Sequence, residues 1–459
     1  MKYDVIIIGA GMSGLAAGIR LAYYGKSVCI LEKHAISGGL NSHYSKDGRR
    51  FDVGLHALTN FVEKGVNKQA PLSKLLRQLK IPYDELDLVE QGHSAIEFPG
   101  VKLRFDNRFE LLCADIALHF PTKIDAFLKL TEHIKSYNDV SLQAKYVSAR
   151  KLVGSYVNDS LLEDMIFCPV MFYGSAVEDD MDFSQFCIMF KSLYLEGFCR
   201  PQIGVRHLLR LLQKKYKGNG GELKMRQGVD KIHHENGRAT GVLLESGEFL
   251  EADKILSSAG VCETYAMMDE PEKSPSQAGN LSFVESLIVL DAMPADLGLE
   301  ETIIFFCRED KFNYRCPVGK TADPLSGVIC LPNNFQFKDK PLDEGIVRFT
   351  SLADFKAWEK LSPADYKMAK EEFVQAQIKY SGFEDKIKGH IKYIDAFTPT
   401  TVRKYTSHFN GAIYGAPTKV KDGMTSLDNL FICGTDQGFL GIIGALLSGI
   451  SMANLHLLR

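Results

Sequence analysis

One tryptophan, no Cys-x-x-Cys pair and no run of basic residues occur in these 459 residues. The ten cysteines fall at none of the Cys/His spacings of zinc sites, so no metal site is expected and the thiols read as reduced core residues of a reducing compartment. Lysine and arginine number 54 against 57 acidic residues, a net charge of -3 with no concentrated positive footprint, which excludes nucleic acid as a partner. Long hydrophobic runs are scarce. Residues 5–8 are too short for a signal peptide, and the apolar stretch 438–458 is broken by glycines and serines and closed by Asn454 and His456, which argues against a transmembrane helix. These features predict a cytoplasmic protein. Internal repeats are absent, and a G-x-G-x-x-G after a strand occurs once. With 45% hydrophobic residues, the chain is long enough for a two-part globular protein with a large core.

That single glycine motif opens the chain. Asp4-Val5-Ile6-Ile7-Ile8 reads as a strand running into Gly9-Ala10-Gly11-Met12-Ser13-Gly14, and Glu32 closes a second strand beyond the helix that follows. Gly9 permits the tight turn, Gly11 lets backbone approach a pyrophosphate, and Gly14 lets the helix pack closely on the strand. The helix N-terminus favours the anion, while Glu32 can accept ribose hydroxyls and would repel a 2'-phosphate. A dinucleotide grip follows, held by Gly9, Gly11, Met12, Ser13, Gly14, Glu32 and Lys33.

Downstream residues decide which dinucleotide. Gly38-Gly39-Leu40 can bring main-chain N–H groups to the pyrophosphate from its other side, and Phe51-Asp52-Val53-Gly54-Leu55-His56 brings backbone towards a reactive ring. Near the other end, Cys433-Gly434-Thr435-Asp436 precedes a glycine-rich helix start at Gly441. Asp436 is placed to hydrogen-bond a ribityl chain, and the helix would aim its positive end at the flavin edge that becomes anionic on reduction. FAD is therefore favoured over NAD.

Helical segments are expected at 121–138 and 159–168, followed by a Met- and Phe-rich stretch to 198 and an amphipathic helix at 204–216. Short strands with hairpin turns at 235–238 and 245–248 follow, then mixed structure with strands near 283–290 and 326–331 and a helix opened by Ser362-Pro363. Trp358 is expected on a surface helix. The fold class is α/β: a Rossmann-like FAD-binding domain with a parallel sheet and βαβ unit, of the glutathione-reductase flavoprotein type, plus an α+β substrate-binding domain with a mixed sheet. Boundaries are placed at 1–70, 200–265 and 420–459 for the discontinuous cofactor domain, and at 71–199 and 266–419 for the substrate domain.

The chain resembles the phytoene desaturase, carotenoid isomerase and retinol saturase group of the flavin amine oxidase superfamily over nearly its whole length. The resemblance rests on the glycine loop with Glu32, Gly38-Gly39, residues 51–56, Gly220-Gly221-Glu222 to Val229, Thr398-Pro399-Thr400-Thr401 with Tyr414-Gly415, and the Gly434-Thr435-Asp436 terminus. It implies that Val229 binds adenine through its backbone and that Gly434, Asp436 and Ile443 line the flavin. Two departures, Arg200-Pro201-Gln202-Ile203-Gly204 and Asp436-Gln437-Gly438, bear on the reaction rather than the cofactor. The expected activity is FAD-dependent desaturation, saturation or isomerisation of a hydrophobic polyene or isoprenoid, with hydride passing at flavin N5. The sequence names no electron acceptor, and a water-insoluble substrate implies transient contact with a membrane surface.

His56 is the first candidate for acid/base chemistry, because its motif lies on the flavin side and imidazole titrates near neutral pH; Tyr414 is the second. Met165, Phe167, Met171, Phe172, Phe186, Met189, Phe190 and Phe198 can line a tunnel or simply pack a core. Two other functions are weighed. A flavin amine oxidase would need an aromatic cage built from tyrosines such as Tyr405 or Tyr414. A prenyl-binding escort similar to Rab GDP dissociation inhibitor would lack the intact flavin elements Glu32 and Asp436.

Overall fold

Alternate residues of the first strand feed two different cores. In the computed structural model, which describes residues 2–54, 57–142, 144–338 and 342–459, the strand Lys2–Ile8 is β-branched and sits inside a parallel layer. Val5 and Ile7 face one core and Ile6 and Ile8 the other, as the period of two requires. Strands 222–225, 28–32, 2–8, 249–257 and 430–432 run parallel in that spatial order. The strand Phe249–Ser257 divides its outer edge: residues 249–251 pair with the antiparallel hairpin strand Arg238–Leu244, and residues 255–257 pair with Leu430–Ile432. Residues from both ends of the chain thereby enter one sheet.

Helices Met12–Tyr23, Val205–Gly218 and Gly441–Met452 cover one face of this sheet. The first and last meet backbone against backbone, since a Cβ on Gly449 would stand 2.0 Å from the carbonyl oxygen of Ser13. Small residues in the apolar C-terminal run thus serve close helix packing. Among the described residues, no helix is long and apolar enough to cross a membrane.

The second sheet is mixed and has the strand order 391–397, 282–290, 345–353, 326–330, 303–307, 94–98, 101–105. All neighbours are antiparallel except 303–307 with 94–98. One face, carrying Phe283, Ile303, Phe305 and Val328, packs under helices Ser160–Gly174 and Phe183–Phe190. The opposite face, with Ile288, Ile304 and Ile329, packs on Val374 and Ile378 of the helix Pro363–Ser381. These two sheets with their helical layers are the expected α/β architecture.

One expectation changes. Trp358 is buried, not on the surface: its helix Phe355–Glu359 turns the ring into a small core with Phe373, and the indole N–H donates to the Thr321 carbonyl at 2.7 Å. A buried indole needs such a partner, and this one is supplied from across the chain. Most of the Met- and Phe-rich stretch is core. Phe167 and Phe186 lie 4.8 Å apart between ring centres and Phe186 and Phe190 5.9 Å, with Met165 packed among them.

Candidate active site

The turn after the first strand is forced by contact. Gly9 is left-handed at φ +95°, and a Cβ on Gly14 would stand 2.1 Å from the Gly9 carbonyl oxygen, so the helix can begin there only without a side chain. Over Gly11, which has ordinary φ, no atom lies within 4 Å of where a Cβ would be. The Gly38 N–H donates to the Ala10 carbonyl at 2.9 Å, laying residues 38–39 beside this opening. The helix Met12–Tyr23 has no side-chain cap and no acidic residue in its first turn, which leaves its N–H groups turned towards the space.

Glu32 is buried, and its carboxylate accepts from the Ala10 N–H at 2.8 Å and the His34 N–H at 2.9 Å. Each oxygen keeps a lone pair for a further donor such as a ribose hydroxyl. Residues 226–229 run alongside: Gln227 N–H donates to the Glu32 carbonyl and Arg226 N–H to that of His34, which brings Val229 to this end. Lys33 is half exposed and pairs with Glu245 at 2.9 Å, while Leu40 lies in the short helical turn Gly39–Asn41.

The other end of the site is built on Asp436, which is 2% exposed. Its oxygens accept from Val261 N–H at 2.7 Å and Ala416 N–H at 2.8 Å, and the Lys419 ammonium stands 3.7 Å away. A Cβ on Gly415 would collide with the carboxylate. Asp436 therefore fastens the start of the helix Val261–Met267 and the 414–420 loop to the cofactor sheet. Gly434 N–H is held by Ser448 Oγ at 2.7 Å, and Ile443 is buried in the uncapped helix Gly441–Met452. The buried Oε1 of the adjacent Gln437 has no protein partner, as a cofactor-lining acceptor would not.

Lys419, His408 and Glu263 carry no sequence motif, yet they form a largely buried charged cluster with Asp436. Burial pulls the Lys419 ammonium below its ordinary value against the opposing pull of Asp436, and its N–H also donates to the Tyr414 carbonyl at 2.5 Å. His408 Nδ1 is 3.6 Å from Glu263. Burial disfavours its imidazolium, but Glu263 and Asp436 outweigh burial and the repulsion of Lys419, raising the pKa above the usual 6.5. A raised histidine stabilises the fold fully below pH about 6.5 and loses that contribution as pH rises through its folded value. We expect the thermal midpoint to fall over that range. His408→Gln should flatten the decline, and an unchanged slope in the variant would contradict the assignment.

Gly54 is left-handed at φ +64° and its Cβ would meet the Leu40 carbonyl oxygen at 2.4 Å, so the second glycine loop and the 51–54 segment touch. Leu55 and His56 lie outside the described residues. The preceding Asp52 accepts from Val205 N–H and pairs with Arg200, both at 3.2 Å. Tyr414 is half-buried, its hydroxyl donates to the Phe172 carbonyl and desolvation pushes its pKa up, so this phenol keeps its proton. Its ring meets Phe283 edge-on at 5.9 Å.

Two uncapped helix starts, an open glycine cradle, the buried Glu32 carboxylate and an orphaned acceptor are thus carried by the first sheet, its turns and the helices on it. Residues 12–328 match the flavin containing amine oxidoreductase family. The chain belongs to this family. Its cofactor is FAD, and it is an FAD-dependent oxidoreductase. The all-trans-retinol 13,14-reductase of Danio rerio is 25% identical over 99% of this chain and 86% of its own length. The chloroplastic prolycopene isomerase of Arabidopsis thaliana is 24% identical over 98% and 82%. Among solved structures, an oxidoreductase from Methanosarcina mazei superposes with a TM-score of 0.68 at 17% identity, covering 99% of this chain and 100% of that one. In this family member, Gly9–Gly14, Glu32, Gly38-Gly39 and residues 434–443 are the groups that would hold FAD.

Proposed function

We propose that this chain acts on carbon–carbon bonds of a long hydrophobic polyene or isoprenoid, by desaturation, saturation or isomerisation. Bound FAD supplies the ring position, N5, that takes or gives a hydride. The observation carrying the reading is the wall between the two flavin-side segments. There Phe172 packs on Phe283 at 6.0 Å and Phe198 on Phe305 at 6.5 Å between ring centres, and the Tyr414 ring meets Phe283, giving an aromatic wall along the inner face of the second sheet. Such a wall binds an extended apolar chain and keeps water from the reacting carbons. Relatives named for a prolycopene and a retinol spanning nearly the whole chain support it.

The chain's own residues orient and exclude. Tyr414, tied to Phe172, fixes the wall against the cofactor loop, and His56 is the proposed proton carrier for whichever carbon gains or loses one. An amine cage gains no support: Trp358 is buried elsewhere, and Tyr405 packs near His34 at 5.6 Å while Tyr414 faces the second sheet. The escort reading is likewise disfavoured by the presence of Glu32 and Asp436. Incubating the FAD-loaded enzyme with polyenes, isoprenoid alcohols and amines separates the alternatives. We expect altered absorption of a polyene or isoprenoid product, whereas hydrogen peroxide formed with amines alone would contradict the proposal.

A further inference from the structure

A cationic cavity lies beside the end of the strand Val28–Glu32. It has a volume of about 460 Å³ and is lined by Lys33 together with Thr400, Arg403, Lys404 and Ser407 of the helix Pro399–Thr406 and its C-cap. Positions 400, 403, 404 and 407 recur at the spacing of one helix face, which turns these four residues towards the same space. The Tyr405 ring lies 5.6 Å from that of His34 and braces this helix against the segment after Glu32. Phe355, Glu359 and Phe409 complete the lining. Residues 9–14, Glu32 and Gly38-Gly39 are not part of it, and the two neighbouring side chains diverge: Glu32 accepts from the Ala10 N–H, whereas Lys33 reaches Glu245.

Lys33, Arg403 and Lys404 stand against one lining carboxylate, Glu359, an excess of two positive charges. Glu245 lowers the excess to one by pairing with Lys33 at 2.9 Å from outside the lining. Glu359 is taken by Arg403 at 2.8 Å, and among the described residues no carboxylate pairs with Lys404. We infer that this cavity binds an organic phosphate of nucleotide size. A guanidinium, ammonium groups and the hydroxyls of Thr400 and Ser407 are donors suited to phosphate oxygens, whereas an amine would be repelled and a hydrocarbon would strip them of water. The volume sets the size, because small organic ligands occupy cavities of about 300–1,000 Å³ and orthophosphate would leave most of this one to water. Phe409, 37% exposed, offers aromatic surface to the organic part. The inference goes beyond the carbon–carbon reading and does not depend on it.

The test is calorimetric titration of the FAD-loaded protein with ADP at low ionic strength, with adenosine and orthophosphate as partial ligands and the flavin spectrum followed throughout. ADP should bind once per chain without releasing FAD, and more tightly than either partial ligand. Lys404→Glu should weaken ADP binding by about tenfold or more, the worth of a hydrogen bond to a charged group. Arg403→Gln should weaken it as well. Lys129→Glu makes the same charge change at an exposed position of the helix Ile124–Ser136 and should leave binding unaltered. Lys404 is itself exposed, so its variant should melt with the parent protein and lost binding would not reflect unfolding. Absence of ADP binding, an equal loss in Lys129→Glu, or binding only with release of FAD would overturn the inference while leaving the carbon–carbon proposal standing. Orthophosphate binding as tightly as ADP would also overturn it, by removing the organic part.

Discussion

Asp436→Ala should destabilise the chain by about 3–5 kcal/mol and abolish FAD retention. The substitution removes the acceptor for two buried amides, Val261 N–H and Ala416 N–H, and leaves the Lys419 ammonium buried 3.7 Å from a vanished counter-charge. Breaking one side of such a pair is worse than removing both, because the remaining charge is left without a counter-charge. Lys419→Met in the Asp436→Ala background should therefore recover part of the loss. Urea unfolding with cofactor content measured alongside checks both statements; a loss below about 1 kcal/mol would show that the amides and the lysine find other partners.

Gly11→Ala should do the reverse, leaving the apoprotein intact while weakening FAD binding by about tenfold or more. Its backbone is ordinary and nothing lies within 4 Å of the new methyl, so the fold has no reason to respond. That methyl projects into the cradle beside the uncapped helix start, and overfilling a close-fitting space costs about 1–3 kcal/mol, with each 1.4 kcal/mol worth tenfold in affinity. Gly14→Ala is the contrasting variant, since its methyl meets the Gly9 carbonyl oxygen and must disturb the turn itself. Calorimetric titration with FAD and apoprotein melting distinguish the two. Equal affinity in Gly11→Ala would place the pyrophosphate elsewhere.

The parts of this site that read directly from sequence are those made by consecutive residues. The glycine loop, Glu32 at a strand end, Gly38-Gly39 and the helix start near Gly441 each encode their geometry locally, through left-handed backbone, absent side chains or uncapped amides. Asp436 reads from sequence as an acid in the turn after a strand, but its grip on Val261 and Ala416 does not, because those partners come from distant segments and a backbone N–H has no residue signature. The Asp52–Arg200 pair shows the same limit. Arg200 stood out as a departure from the resembled pattern, yet only folding shows that it meets Asp52 behind the 51–54 segment. Trp358 was misplaced for a related reason: the residue that accepts its indole proton, Thr321, lies in another part of the chain.

The most direct test of the account is anaerobic mixing of the photoreduced FAD-loaded enzyme with a polyene alcohol or aldehyde, watching the visible flavin band and the polyene absorption together. The account predicts that reduced enzyme reacts with the polyene without oxygen, shown either by return of the flavin band as the polyene shortens its conjugation or by isomerisation of the polyene with the flavin still reduced, or that oxidised enzyme bleaches as a more saturated substrate is desaturated. Inertness to every polyene in both redox states, with bleaching of the oxidised enzyme by amines, would contradict it.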